Sequence, residues 1–88
     1  MNNKSKKVII IRAIANENRL RLILCLSNPQ SVSELLEKCH LSQSALSQHL
    51  KILKDCNVAN CKKNGKLQIY DVSDKRILSL AKTILEIK

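Results

Sequence analysis

Residues 31–54, SVSELLEKCHLSQSALSQHLKILK, hold the pattern that most restricts the fold: two short helices parted by a tight polar turn. Ser31 with Glu34 three positions on is a capping box, in which each side chain accepts from the other's backbone N–H at a helix start. Val32, Leu35 and Leu36 then recur at helical spacing, with Cys39 one turn later. His40-Leu41 makes the turn, and Ser42 is a second N-cap ahead of Gln43. Leu46, Leu50 and Leu53 stand at i, i+4 and i+7 and define the buried side of the second helix. Its opposite side presents Gln43, Ser44, Ser47, Gln48 and Lys51. Short hydrogen-bonding side chains followed by a cation suit base edges and phosphates. The layout is that of a helix-turn-helix, whose second helix enters the DNA major groove. An ordinary two-helix hairpin with a solvated polar face would read much the same, so other features must decide.

Charge is one of them. The chain carries 16 Lys and Arg against 7 Asp and Glu, a formal net charge of +9 over 88 residues. That surplus, on a length suited to one small domain (residues 1–88), implies a polyanionic partner or an anionic membrane surface. No stretch is long enough to span a bilayer. The apolar run at residues 8–11, behind Lys4, Lys6 and Lys7, is too short for a signal-peptide core. A cytoplasmic protein with no membrane partner is expected. With one Tyr, no Trp and no Phe, no platform exists for stacking single-stranded bases, which favours a duplex read through a groove. The core must come from Ile, Leu, Val and Ala, and burial in so small a domain is marginal, so association with a second copy would help. Four cysteines, Cys25, Cys39, Cys56 and Cys61, accompany strong helical periodicity and no secretory signal, and read as reduced thiols, some of them small core residues.

Along the chain, residues 1–5 read as frayed and Lys6–Ile14 as a first helix with Ile10, Ile11 and Ile14 on one side and Val8 and Ile9 adding apolar surface. Asn16 caps a second helix over residues 17–27, whose Leu20, Ile23, Leu24 and Ser27 face inward; Asn28-Pro29 ends it. After Lys54 the period changes. Asp55-Cys56-Asn57 breaks the helix, and residues 58–63 and 66–72 flank Asn64-Gly65, the signal for a two-residue type I′ hairpin. Lys62, Lys63 and Lys66 cluster at its tip, where a wing beside a recognition helix would meet phosphates or the minor groove. Lysines on a solvated hairpin also discourage edge pairing, the plainer account. A last helix starts at Ser73 or Asp74 and runs to about Ile87. Ile77, Leu80, Ala81, Ile84 and Ile87 form one stripe, with Leu78 and Leu85 on another side. A terminal helix apolar on more than one side needs a partner surface, so the first and last helices predict a homodimer.

The expected order is thus α-α-α-α-β-β-α, mainly helical with a small hairpin. In that order, IANENRLRLILCL, SVSELLEKCHLSQSALSQHLKILKDCNVA and KKNGKLQIYDVS resemble the ArsR/SmtB family of dimeric winged-helix repressors over about residues 12–73. SQSALSQHL is especially similar to the branch containing HlyU and BigR, whose members lack metal sites. The resemblance implies a homodimer on an imperfect palindrome of double-stranded DNA. It places Gln43, Ser44, Ser47, Gln48 and His49 on the recognition surface, Lys51 near phosphate, and Lys62, Lys63, Asn64 and Lys66 in the wing. His49 has an alternative role in bonding to the scaffold.

Departures from the family pattern carry information too. Metal-sensing relatives have Cys-Val-Cys where this chain has Ser31-Val32-Ser33, which removes the thiolate pair that soft metals need. The family's other metal site needs Asp and His on the last helix, and residues 76–88 contain neither, only Glu86. No metal or cofactor is therefore expected, and no small-molecule effector is identifiable from the sequence. Thiol-sensing relatives pair a cysteine of the second helix with one near the end of the last; Cys25 matches the first, and residues 76–88 hold no cysteine. Cys25 is accordingly either a redox thiol or a buried one, and Cys56 with Cys61 are a second pair whose approach the sequence leaves open.

The leading function is a transcriptional repressor. The competing classes are a winged-helix module docking on another protein, and a basic DNA-binding protein without sequence preference. Enzymatic activity is not expected: Ser44, Ser47 and His49 share one helix without an acidic orienter, and Gly65 as the one glycine rules out a glycine-rich phosphate loop.

Overall fold

A computed structural model describes residues 5–88. Its elements are α1 (Lys6–Ile14), α2 (Glu17–Cys25), β1 (Gln30–Ser31), α3 (Val32–Cys39), α4 (Gln43–Asp55), β2 (Ala59–Asn64), β3 (Leu67–Val72) and α5 (Lys75–Leu85). The seven expected elements are present, joined by one that was not expected, the two-residue strand β1. The sheet is antiparallel in the order β1-β3-β2, with Gln30 opposite Tyr70 and Ser31 opposite Ile69. Of the amino-terminal stretch expected to fray, residues 1–4 lie outside the described residues. Ser5 is ordered as a cap, its Oγ accepting from Val8 N at 3.2 Å.

Each helix begins where a side chain can accept its orphan donors. Asn16 Oδ1 accepts from Arg19 N at 3.1 Å, Ser42 Oγ from Ala45 N at 3.1 Å, and Asp74 Oδ1 from Arg76 N at 2.9 Å. The capping box at α3 is complete: Ser31 Oγ accepts from Glu34 N at 3.2 Å while Glu34 Oε1 accepts from Ser31 N at 2.8 Å. The end of α1 is closed from outside, by the Arg19 guanidinium donating to the carbonyls of Ala13 and Arg12. A cation at a helix carboxyl end also complements the helix dipole.

The end of α4 determines how the hairpin leaves it. Asn57 takes φ 61°, a left-handed conformation that Asn tolerates better than most residues. Its N–H reaches Lys54 O at 3.0 Å, and Val58 N reaches Leu53 O at 2.8 Å, the paired bonds of a Schellman motif. Val58 and Leu53, the apolar pair that accompanies this motif, are both fully buried. Ser73 Oγ then donates to Asn57 O at 2.7 Å and Val58 O at 3.0 Å, binding the base of the hairpin to the helix end.

The core contains Leu22, Ile23, Leu26, Leu35, Leu46, Leu50, Leu53 and Val58, all fully buried. Each such side chain contributes about 1.5–3 kcal/mol relative to exposure. Four expectations need correction. Helix α2 ends at Cys25, so Ser27 lies past its last turn and is exposed rather than inward-facing. Ile11 is 59% exposed, because Ala13 and Ile14 take the inward side of α1. The hairpin turn falls one residue later than expected. Asn64 pairs with Leu67, leaving Gly65 and Lys66 in the turn, and of these two only Gly65 has positive φ (65°), so the type I′ requirement is not met. The last helix also stops at Leu85 rather than near Ile87. Among the described residues, no helix is long and apolar enough to cross a membrane.

Candidate nucleic-acid interface

Helix α4 sets its leucines inward and leaves the opposite arc open. Gln43, Ser44, Ser47, Gln48 and Lys51 are all exposed, as their spacing predicts. The arc divides in two. At 100° per residue, Gln43, Ser47 and Lys54 lie along one flank, while Gln48 and Ile52 lie along the other with Ser44 and Lys51 between them. The first flank borders a groove of about 630 Å³ that runs to the hairpin, lined on the α4 side by Gln43, Ser47, Lys51, Lys54 and Asp55. Lys63, Lys66 and Gln68 form its hairpin side, and Ser33 enters from α3.

The wing residues do not act as one cluster. Strand alternation sends Lys62 and Asn64 to the face opposite Lys63, where they border a second hollow with Pro29, Ile69 and Asp71, whose rim Lys63 also lines. Lys63 and Lys66 therefore share the groove with α4, and Lys62 and Asn64 face away from it. Lys54, Gln68 and Ser33 are groove residues not singled out from the sequence. Lys54 follows from the helical angle, seven residues after Ser47, whereas Gln68 and Ser33 depend on how the hairpin and α3 pack.

Four ammonium groups (Lys51, Lys54, Lys63 and Lys66) face one carboxylate, Asp55, in this groove. Lys51 Nζ lies 3.0 Å from Asp55 Oδ2, with both side chains mostly exposed. An exposed i,i+4 pair of this kind is worth only about 0.3–0.5 kcal/mol, so a phosphate can displace Asp55 at small cost. His49 is set apart from the open arc. It is half-buried, and its Nδ1 is sealed from solvent without a hydrogen-bond partner. Burial, and then the nearby Arg19 charge, push its pKa below the ordinary 6.5, so the ring is held neutral. That placement suits a residue at the junction with α2 more than one reading bases.

The thiols are also placed. Cys25 and Cys39 meet, with Sγ–Sγ 3.5 Å, while Cys61 lies beside Tyr70, whose hydroxyl is raised above its ordinary pKa by burial and by that thiol. Cys56 caps the end of α4. Among the described residues, no group of three or more His, Cys, Asp or Glu is arranged to hold a metal ion.

A helix-turn-helix bearing a polar arc, flanked by a lysine-bearing hairpin, is a DNA-reading arrangement, and residues 16–60 match the arsR family of bacterial regulatory proteins. The chain belongs to the ArsR family. It is a DNA-binding transcriptional regulator. The ArsR-family relatives include the transcriptional activator HlyU of Vibrio cholerae serotype O1, 38% identical over 79 residues that cover 89% of this chain and 73% of HlyU. The arsenical resistance operon repressor of Bacillus subtilis is 35% identical over 71 residues, covering 78% of this chain and 68% of the repressor. The structure of reduced HlyU from Vibrio cholerae matches with a TM-score of 0.81 and 35% identity, covering 94% of this ArsR-family chain and 90% of HlyU. Members of the ArsR family act by regulating transcription rather than by catalysis.

Proposed function

We propose that this regulator is a homodimeric repressor that binds a pseudo-palindromic operator and blocks access to a promoter. Residues 1–88 act as one winged helix-turn-helix domain with dimerising helices at its two ends. The observation that carries the reading is the groove in which Gln43 and Ser47 of α4 face Lys63 and Lys66 of the hairpin. Amide and hydroxyl groups read base edges while ammonium groups neutralise the flanking phosphates. Ser44 and Gln48 extend the base-reading arc, Lys51 meets phosphate, and Lys62 and Asn64 contact the backbone from the far side of the wing. His49 supports the helix from behind. Regulation proceeds without the metal sites of metal-sensing relatives, because Ser31 stands where they place a thiolate and is engaged in the capping box.

A second copy is favoured by unpartnered apolar surface. Exposed Ile11 and Leu80, with Ile84, border a shallow cavity of about 480 Å³ between α1, α2 and α5, which the buried Ile14 and Leu20 also line. A twofold pair would set two recognition helices about 34–36 Å apart, one turn of duplex.

The test is selection of bound duplexes from a random pool, followed by transcription in vitro from a promoter carrying the recovered site. An inverted repeat with lowered transcription is the expected result. Salt-sensitive binding without any recovered motif would overturn base reading and point to a docking or packaging protein. The similarity to an activator, HlyU, favours a second reading in which the same contact raises transcription by displacing a silencer. Increased output only when a competing DNA-bound protein is present would select it.

A further inference from the structure

Cys25 is the last residue of α2 and Cys39 the last residue of α3, fourteen positions later in the chain. Both are half-buried, and Cys39 Sγ donates to Cys25 Sγ at 3.5 Å. Two thiols held in contact are suited to a metal or to each other. A structural thiolate metal site takes four ligands, and no third donor joins these two among the described residues. A disulfide takes just two ligand-free thiols, whose sulfurs must close to about 2.05 Å with suitable Cα and Cβ separation. The surroundings favour such a movement at Cys39. It ends its helix, and the next residue, His40, is already in a left-handed conformation (φ 51°) at the turn that leads to α4.

We propose that Cys25 and Cys39 form a dithiol–disulfide site within one subunit, and that closing it displaces the end of α3 and weakens DNA binding by α4. The effect on DNA rests on the regulator reading above; the chemistry does not. With a small-molecule disulfide as oxidant, the Cys25 thiolate attacks one of its sulfurs, forming a mixed disulfide and expelling a thiolate. Cys39 then gives its S–H proton to solvent, and its sulfur attacks Cys25 Sγ, releasing the second small thiolate. Two protein thiols are oxidised and one small disulfide is reduced to two thiols. Burial, and then hydrogen bonding to Cys25, push Cys39 up to about 12. Cys39 is thus favoured as the thiol, which assigns the first attack to Cys25 and the resolving step to Cys39.

The sequence makes the bond easy to map. Trypsin cleaves after Arg21, Lys38 and Lys51, placing Cys25 on peptide 22–38 and Cys39 on peptide 39–51, while Cys56 and Cys61 fall together on peptide 55–62. The whole chain is treated with glutathione disulfide, digested without reductant, and assayed in parallel on a duplex selected with reduced protein. Peptides 22–38 and 39–51 are expected as a linked pair, with DNA affinity lowered about 10-fold, within the range usual for coupled sites, and restored by dithiothreitol. Cys39→Ser, or Cys39→Ala if the serine variant does not fold, should accumulate glutathione on Cys25 and yield no linked pair. Absence of the linked pair in the wild type overturns the proposal, and a linked pair with unchanged affinity overturns its coupling to DNA. If reduced protein selects no duplex, the proposed function fails, while the peptide map still judges the dithiol.

Discussion

In the proposed interface, Gln48 and Lys63 would carry two separate tasks. Gln48 is exposed on the flank of α4 away from the hairpin, and among the described residues its side chain makes no hydrogen bond. Gln48→Ala should cost about 1–3 kcal/mol of specific binding and relax base preference, as measured by competition between selected and mutated duplexes. Lys63 faces the groove as a point charge. Lys63→Ala should weaken all sequences alike and reduce the slope of log affinity against log salt by about 1, read by fluorescence anisotropy over a salt series. Which residues line the open arc of α4 is legible from the sequence, because three leucines at helical spacing fix the opposite side. Which lysines share the groove is not. That depends on strand register, and the register turns Lys62 and Asn64 away while admitting Gln68.

Among the elements, the helices are the most legible because their signals are local. Ser31, Ser42 and Asn16 cap where their spacing predicts, and the α3 capping box is complete. Ser31→Ala should destabilise the fold by about 0.5–2 kcal/mol, measured as a lower urea midpoint. At α5 the Arg76 side chain, and then its backbone N–H, hold the Asp74 carboxyl down at about 2, against an ordinary 3.8. A depressed carboxylate stabilises above its unfolded value and loses that contribution as pH falls through its folded one. Urea midpoints of wild type and Asp74→Ala should therefore differ at neutral pH and converge as pH falls from 3.8 towards 2. Elements set by distant partners are the ones the sequence conceals. Gln30-Ser31 has no β-branched residue, and it becomes a strand only because β3 offers it a free edge. The hairpin turn moves to Gly65-Lys66 for a similar reason: pairing of Asn64 with Leu67 overrides the local preference of Asn-Gly for turn centres.

At the scale of the whole molecule, apolar surface remains uncovered on the first and last helices, which meet in the fold. Ile11, Leu80 (45% exposed) and Ile87 (74% exposed) lie on α1, on α5 and just beyond it. Leu80→Asp should leave a folded monomer, since the residue is open to solvent in one copy, while abolishing the dimer. Sedimentation velocity together with circular dichroism would show it, and a dimer that persists would move the twofold contact elsewhere. The smallest element has the widest mechanical consequence. Ser31 is at once a rung opposite Ile69 and the residue that opens α3. The wing and the bracing helix are thereby bolted together at a single position. In the proposed complex, a tug on the hairpin tip from a phosphate would pass through that rung to the bracing helix, since α3 follows β1 with no slack loop between them.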